Sequence, residues 1–283
     1  MKLTALNPSE LLSAAGLRPK KSLGQNFLTD PNILQRITDA AEIGRDDTVL
    51  EIGPGLGSLT RHLAMAAGAV LAVELDGGLI PILENVLADY PNVTVVHGDI
   101  LKVNLERWLG GRPYIAAANI PYYITSAVIR RLLSGSTKPT RLLFTMQKEV
   151  AERICAGPGD MSLLALSVQV FGHPEQALRI PAGAFYPPPK VDSACLRVDL
   201  YKTPLIPETS LDTFFHLAKA GFSQKRKTLR NSLAGGLRLP PEQAASLILA
   251  AGIDPQRRAE ALGLQDWAKL TEVYIDRNNQ QPA

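Results

Sequence analysis

Two spacings of apolar residues alternate through the first half of the chain. Short apolar runs bounded by glycine or polar residues predict buried strands, and apolar positions three and four residues apart predict amphipathic helices. The predicted strands cover residues 49–52, 70–74, 93–97, 114–118 and 141–146. The predicted helices cover residues 33–41, 59–67, 79–88, 127–133 and 148–154. This alternation is typical of βαβ units and predicts a Rossmann-like α/β domain with a mostly parallel sheet.

The pattern changes in the second half. Apolar runs at 164–171 and 194–200 predict two further strands, joined by loops, at an antiparallel edge of the sheet. Beyond Thr203 the spacing is helical, and the predicted helices cover residues 211–220, 227–233, 241–251 and 264–275. We therefore expect an α/β domain at 1–203 that begins with an N-terminal arm at 1–25, and a small all-helical domain at 204–277. The polar tail at 278–283 is expected to be disordered.

The composition is that of a globular protein, and it excludes several classes. Hydrophobic residues make up 46% of the 283 residues and charged residues 20%, which allows a sizeable core. No run of about eighteen apolar residues occurs, so no membrane span is expected, and the first residues carry no export signal. The two cysteines are too few for a four-thiolate zinc site or a disulfide framework. We expect a cytoplasmic, monomeric protein with no metal and no membrane partner.

The basic residues are clustered, although the net charge of +3 says little by itself. The two clusters consist of Arg18, Lys20 and Lys21, and of Lys225, Arg226, Lys227 and Arg230. A solvated surface explains either cluster alone. Two clusters that flank a candidate active-site domain favour contact with nucleic-acid phosphates.

A glycine-rich turn and two acids follow the first three predicted strands. Gly53, Gly55 and Gly57 let the backbone approach a ligand at the carboxyl end of the first strand. Glu74, at the end of the second strand, could accept hydrogen bonds from both ribose hydroxyls, and Asp99, after the third, from an adenine amine. This ordered set favours S-adenosylmethionine, which has a ribose, an adenine and a sulfonium charge but no phosphate. NAD is the alternative, but its pyrophosphate prefers Gly-x-Gly-x-x-Gly.

Taken singly, these features have simpler explanations. The turn could be an ordinary tight turn, Glu74 a solvated strand end and Asp99 a helix cap. Their order along the chain is what makes the cofactor interpretation the stronger one.

The segment after the fourth predicted strand suits an adenine substrate. The N6 lone pair of adenine is delocalised into the ring, and two acceptors aimed at the two N–H bonds would free it. The Asn119 side-chain oxygen and the Ile120 carbonyl could be those acceptors, since Pro121 forces Ile120 into an extended conformation. Tyr122 could stack on a flipped base. An ordinary turn explains the segment alone, but its place beside the cofactor site favours the clamp.

A stiff, proline-rich loop at 184–191 supplies a second aromatic element. Phe185 or Tyr186 could cover the other face of the base, and we take Phe185 as the catalytic candidate. The alternative is a connector with one core aromatic.

The chain resembles a known family through six motifs that match in order. They are KSLGQNFL at 21–28, EIGPGLG at 51–57, NIPY at 119–122, QKEVAER at 147–153, FYPPPKVDS at 185–193 and FSQKRKTLRN at 222–231. These motifs resemble those of the KsgA family of small-subunit ribosomal RNA adenine dimethyltransferases, over roughly residues 18 to 275. Two departures are Ile120, where the family often has leucine, and the stretch at 157–162, which differs from the commoner family version.

The resemblance implies a class I methyltransferase fold and a substrate. That substrate is a pair of adjacent adenines in a hairpin loop near the 3′ end of 16S rRNA, within an immature 30S subunit. The residues implied at the cofactor site are Asn26, Leu28, Gly53, Glu74, Asp99 and Asn119. The candidate RNA-binding residues are Lys20, Lys21, Lys190, Lys225, Arg226, Lys227 and Arg230.

Two other functions stay open at this point. One is a dimethyltransferase of 23S rRNA, of the type that confers macrolide resistance, which shares the clamp. The other is a ribosome assembly factor that keeps the fold without catalysis. The basic segment at 222–231 and the helical tail favour the small-subunit substrate, and the intact acids and acceptors favour catalysis.

Overall fold

A computed structural model of the chain describes residues 3–119, 124–133, 135 and 137–280. Contacts divide the chain into two compact units, one of residues 1–151 and 174–200 and the other of residues 152–173 and 201–283. Among the described residues, no helix is both long and apolar enough to cross a membrane.

A seven-stranded, mostly parallel sheet forms the centre of the first unit. The strands in chain order are β1 (Phe27–Leu28), β2 (Thr48–Ile52), β3 (Ala69–Glu74), β4 (Val93–His97), β5 (Ile115–Asn119), β6 (Arg141–Gln147), β7 (Gly172–Ile180), β8 (Phe185–Tyr186) and β9 (Ser193–Leu200). The order in the large sheet is β4-β3-β2-β5-β6-β9-β7, and β1 pairs with β8 in a separate two-stranded sheet. The first five strands of that order run parallel, while β9 runs antiparallel to β6. The predicted α/β architecture is confirmed.

Helices connect these strands and form most of the second unit. In chain order they are α1 (Pro8–Ala14), α2 (Pro31–Ala40), α3 (Ser58–Ala66), α4 (Ile80–Val86), α5 (Leu105–Leu109), α6 (Thr125–Leu133), α7 (Lys148–Cys155), α8 (Leu163–Gln169), α9 (Leu211–Phe222), α10 (Leu229–Leu237), α11 (Pro241–Ala250) and α12 (Leu264–Gln280). Side-chain capping explains where two of these helices begin. Asp30 accepts hydrogen bonds from the first turn of α2, and Asn7 does the same for α1.

The central strands owe their position to apolar side chains on both faces. Strand β2 is buried over its last four residues, and β5 is buried at Ile115 and the three alanines that follow. Such doubly covered strands are continuous apolar runs, as expected for a parallel sheet between two layers of helices. Their carboxyl ends therefore meet along one edge, where Glu74 and Asn119 are the last residues of β3 and β5.

The predicted strand at 164–171 is wrong, because this segment contains helix α8. The Ser162 hydroxyl accepts a hydrogen bond from the Ala165 amide at 3.1 Å and caps the helix. Leu166 and Val168 are fully buried. A short apolar run does not distinguish a buried strand from a buried helix by its spacing. Strand β7 is the one that lies next to β9 in the sheet order. It was not predicted because it begins, after Gly172, with polar residues and a proline, His173, Pro174 and Glu175, which interrupt the alternation of apolar and polar positions.

The second unit also differs from the predicted helical domain in the residues that belong to it. Residues 152–173, which the sequence places in the first domain, group with the later helices. Helix α8 packs on α9, and the Glu260 carbonyl accepts hydrogen bonds from the Gly159 and Met161 amides. At the end of the chain, residues 278–280 continue α12, so the predicted disordered tail is wrong over these residues, and 281–283 lie outside the described part. Arg277 anchors α12 by donating to Ser246 on α11.

Candidate active site

A cavity opens at the carboxyl edge of β2, β3 and β5, and the glycine-rich turn lines it. Gly53 and Gly55 line this cavity, with backbone φ angles of +68° and +61° that only glycine adopts readily. A Cβ atom on Gly55 would lie 3.0 Å from the Phe27 ring. Gly57 does not line the cavity. It has φ of +85° at the start of α3, where a Cβ atom would meet the Leu83 side chain at 3.1 Å.

The two predicted acids both line this cavity. The Glu74 carboxylate is buried and accepts hydrogen bonds from the Gly55 amide at 2.9 Å and the Asp76 amide at 2.8 Å. Burial raises the pKa of Glu74 in spite of these bonds. Asp99 lies two residues after β4 and accepts a hydrogen bond from the Leu101 amide. Glu74 therefore joins the end of β3 to the glycine turn and still presents carboxylate lone pairs to the cavity.

Asn119, the last residue of β5, also lines the cavity. Its Nδ2 atom donates a hydrogen bond to the Asn26 carbonyl at 2.8 Å. A carbonyl can accept only from the amide nitrogen, so this contact fixes the orientation of the Asn119 amide group. Its Oδ1 atom is therefore the one that does not contact Asn26. The remaining members of the predicted clamp, Ile120, Pro121 and Tyr122, lie outside the described residues.

The N-terminal arm, predicted at residues 1–25, continues in the structure through strand β1, so that it extends to residue 28 and contributes to the lining of the cavity. Residues 23–28 of the arm line it, among them the predicted cofactor residues Asn26 and Leu28. Strand β1 of the arm pairs antiparallel with β8, so that Leu28 lies opposite Phe185 and Phe27 opposite Tyr186. Phe185 is 5% exposed and packs in the hydrophobic core of this unit, whereas Tyr186 is 38% exposed. The proline-rich loop is thereby attached to the arm, and the role of Phe185 stays a prediction.

The sequence analysis missed Glu51, a third carboxylate at this cavity. Glu51 is 1% exposed and lines the cavity, and its Oε2 atom makes no hydrogen bond with any described residue. Burial raises its pKa to about 8, although the nearby Thr60 hydroxyl lowers it, and the neighbouring Glu74 adds to the rise. The sequence does carry a signal for this residue, which is an acid inside an otherwise apolar strand. A carboxylate that is buried in this way acquires a perturbed pKa, and such groups are common at functional sites.

We expect Glu51→Gln to stabilise the ligand-free protein in a pH-dependent way. An unfolded chain releases the Glu51 proton near pH 4.5 and the folded protein near pH 8, so ionisation destabilises the fold progressively between these values. The variant should equal the wild type near pH 4 and exceed its free energy of unfolding by about 4 kcal/mol at pH 8, at about 1.4 kcal/mol per pKa unit. Urea unfolding at several pH values measures this difference. A difference that does not change with pH would contradict the assignment.

The predicted RNA-binding residues fall in different surroundings. Lys21 and Lys190 are exposed, and Lys225, Arg226 and Lys227 lie in an exposed turn between α9 and α10. Helix α10 begins after Thr228, so these three residues precede it, although the sequence predicted a helix from residue 227. The Lys20 ammonium is already bound to Asp76 at 2.7 Å. Within the described part of the chain, no cluster of His, Cys, Asp and Glu could hold a metal ion.

Comparison with known proteins gives a consistent result. A family model described as ribosomal RNA adenine dimethylase matches residues 16–276. A ribosomal RNA small subunit methyltransferase A from Dehalococcoides mccartyi (strain CBDB1) is 47% identical over 266 residues, which cover 94% of this chain and 91% of the relative.

Two solved structures resemble this chain over most of its length. A crystal structure of a dimethyladenosine transferase from Plasmodium falciparum has a TM-score of 0.76 at 27% identity, covering 89% of this chain and 98% of that one. A crystal structure of the 23S rRNA methyltransferase ErmE has a TM-score of 0.71 at 29% identity, covering 88% of this chain and 99% of that one. Both similarities extend over the two compact units.

Proposed function

This chain belongs to the ribosomal RNA adenine dimethylase family and is a methyltransferase, and we propose that it dimethylates the N6 amines of two adjacent adenines of 16S rRNA. The adenines are those of a hairpin loop near the 3′ end, and S-adenosylmethionine is the methyl donor. The observation that carries the proposal is the orientation of Asn119, whose amide nitrogen is engaged by Asn26 at the edge of a cavity lined by acids.

The cavity fits a cofactor that carries positive charge and no phosphate. The Glu74 and Asp99 carboxylates would repel a pyrophosphate and attract a sulfonium and an ammonium, and a bound cation would favour ionisation of the neighbouring Glu51. The unpaired, buried oxygen of Glu51 is an acceptor that a cationic ligand would satisfy. We assign Glu74 to the ribose hydroxyls, Asp99 to the adenine amine, and Gly53, Gly55, Asn26 and Leu28 to backbone and apolar contacts. When bound, S-adenosylmethionine supplies an activated methyl group.

The protein's own part in the reaction is alignment of the target amine. Asn119 Oδ1 accepts a hydrogen bond from one N6–H group, and the Ile120 carbonyl accepts a hydrogen bond from the other. These two hydrogen bonds draw the nitrogen lone pair out of conjugation with the ring. Pro121 restricts the backbone that aims this carbonyl. Tyr122 stacks on one face of the extruded adenine and Phe185 covers the other. No strong general base is required, so most of the rate acceleration comes from positioning.

Dimethylation places a second demand on the clamp. After the first transfer, N6 carries a single N–H bond, so only one of the two acceptors is fully used in the second. The clamp must therefore have room for N6-methyladenine. A product mixture that stops at the monomethyl stage would be inconsistent with this arrangement.

The proposed partner is 16S rRNA in an immature 30S subunit, bound by a monomer of this chain. Relatives that are 39–47% identical over nearly the whole chain are named small-subunit methyltransferases, which favours this substrate over 23S rRNA. The complete set of cavity acids and the Asn119 amide favour catalysis over a purely structural role in ribosome assembly. Methyl incorporation into 30S particles from an unmethylated strain, compared with 23S rRNA, tests the choice. Preferential labelling of 23S rRNA would refute it.

We expect the exposed turn at 225–227 to bind phosphates without distinguishing bases. Replacing Lys225 and Lys227 together with glutamine should weaken RNA binding and reduce the slope of log K against log salt by about 1.4, at roughly 0.7 per phosphate contact on single strands. The double change of Arg36 and Arg45 to glutamine removes the same charge from an exposed surface of the first unit and serves as the control. Equal salt slopes for the two double variants would show that the turn makes no phosphate contact.

A further inference from the structure

The arm that covers the cavity is held by one buried carboxylate, that of Asp76. Lys20 Nζ donates to Asp76 Oδ1 at 2.7 Å, and Gln25 Nε2 donates to Asp76 Oδ2 at 2.8 Å. Within the arm, the Lys20 amide donates to Gln25 Oε1 at 2.7 Å, which closes this stretch into a loop. Both ends of the loop are thus fixed to the same side chain, and the residues that follow it cover the cavity.

Asp76 is suited to this task by its burial. Its side chain is 5% exposed, and the Gly78 amide donates a third hydrogen bond to Oδ1 at 3.1 Å. Burial opposes ionisation, but the bonds from Lys20 and Gln25 outweigh it and lower the pKa of Asp76. Charge-assisted bonds of this length to a buried carboxylate are stronger than exposed ion pairs. Lys20, whose side chain is 46% exposed, is thereby committed to the arm.

A continuous series of hydrogen bonds connects the arm to the lining of the cavity. The Asp76 amide donates to Glu74 Oε1, and Glu74 Oε2 accepts from the Gly55 amide. On the other side, the Asn26 carbonyl of the arm accepts from Asn119. Glu74, Gly55 and Asn119 line the cavity, whereas Asp76 is not among the lining residues that the structure describes.

We propose that Asp76 is a positioning residue that clasps the N-terminal arm over the cavity and thereby sets how long the cofactor is retained. Asp76 acts through Lys20 and Gln25 and does not touch the cofactor. The inference rests on the proposed use of this cavity for S-adenosylmethionine. It assigns to Lys20 a role in cofactor retention that is independent of any contact with RNA.

The test measures cofactor dissociation from the full chain in the absence of RNA. Asp76→Asn keeps an acceptor for the Gly78 amide but removes the charge that Lys20 requires. We expect S-adenosylmethionine to dissociate about tenfold faster from this variant, as measured by stopped-flow fluorescence. Hydrogen exchange should accelerate at residues 20–28 and stay unchanged in β2 and β5. Asp76→Glu, which keeps the charge, should recover part of the retention.

Lys20→Met provides a second variant that leaves Asp76 intact, and it should also dissociate the cofactor faster. Arg258→Met removes a half-exposed cation that forms a longer, 3.9 Å ion pair with Glu260 in the second unit, and it should match the wild type. Dissociation at the wild-type rate from both clasp variants would overturn the proposal. So would faster dissociation accompanied by faster exchange throughout the first unit, which would indicate general destabilisation. A wild-type protein that binds no S-adenosylmethionine in equilibrium dialysis would instead refute the proposed function.

Discussion

Replacing Asn119 with alanine is expected to reduce the rate of methyl transfer by roughly 100- to 1000-fold, the range observed when one preorganised polar contact to a reacting group is removed. The variant loses the Oδ1 acceptor that orients N6, while the acids that bind the cofactor stay in place. Cofactor affinity should therefore change by only about threefold, and the loss should appear in kcat rather than in cofactor binding. Single-turnover kinetics with rRNA, together with calorimetric titration of the cofactor, separate the two effects.

A matched variant distinguishes the two roles of the Asn119 amide. Asn119→Asp keeps an acceptor towards the substrate but cannot donate to the Asn26 carbonyl. If orientation of the amide by the arm matters, this variant should also be strongly impaired, and its arm should exchange hydrogen faster. Full activity of Asn119→Ala would refute the clamp, because no other side chain is proposed to supply that acceptor.

Replacing Glu74 with alanine is expected to weaken cofactor binding by about 100-fold or more. Two hydrogen bonds from ribose hydroxyls to a carboxylate contribute about 1.5–3 kcal/mol each, and alanine supplies neither. The same change leaves the Gly55 and Asp76 amides without their acceptor, so the free energy of unfolding should fall by about 1–3 kcal/mol. Calorimetric titration and urea unfolding measure the two effects separately.

Glu74→Gln serves as the companion variant. It keeps one oxygen for a backbone amide and fills the same volume, so it should be more stable than the alanine variant. It should still bind the cofactor poorly, because it lacks the charge and one acceptor. Cofactor affinity equal to that of the wild type in both variants would exclude Glu74 from the site.

The elements of the cofactor site could be predicted from the sequence for a simple reason. Strands β2, β3 and β5 are mostly apolar, and they end at the glycine turn, at Glu74 and at Asn119 respectively. In a parallel sheet these ends meet at one edge, and the cavity lies there. Periodicity and topology were therefore sufficient for the α/β architecture and for the residues that mark the carboxyl ends of these strands, namely Gly53, Gly55, Glu74 and Asn119.

The rest depends on contacts between distant residues that no local pattern encodes. Lys20 resembles a phosphate-binding residue until the structure brings Asp76 to within 2.7 Å of it. Glu51 is an acid within an apolar strand, and its buried, unpaired oxygen becomes apparent only when the surrounding layers are known. The burial of Phe185 follows from the pairing of β1 with β8 across a long sequence separation.

The most direct test of the account is mass spectrometry of nucleosides from small-subunit particles of an unmethylated strain, after incubation with this protein and S-adenosylmethionine. The account predicts N6,N6-dimethyladenosine at two adjacent positions in the 3′-terminal hairpin loop of 16S rRNA, with little N6-methyladenosine at completion. Methylation that ends at N6-methyladenosine, or the absence of methylated adenosine in 16S rRNA, would contradict it.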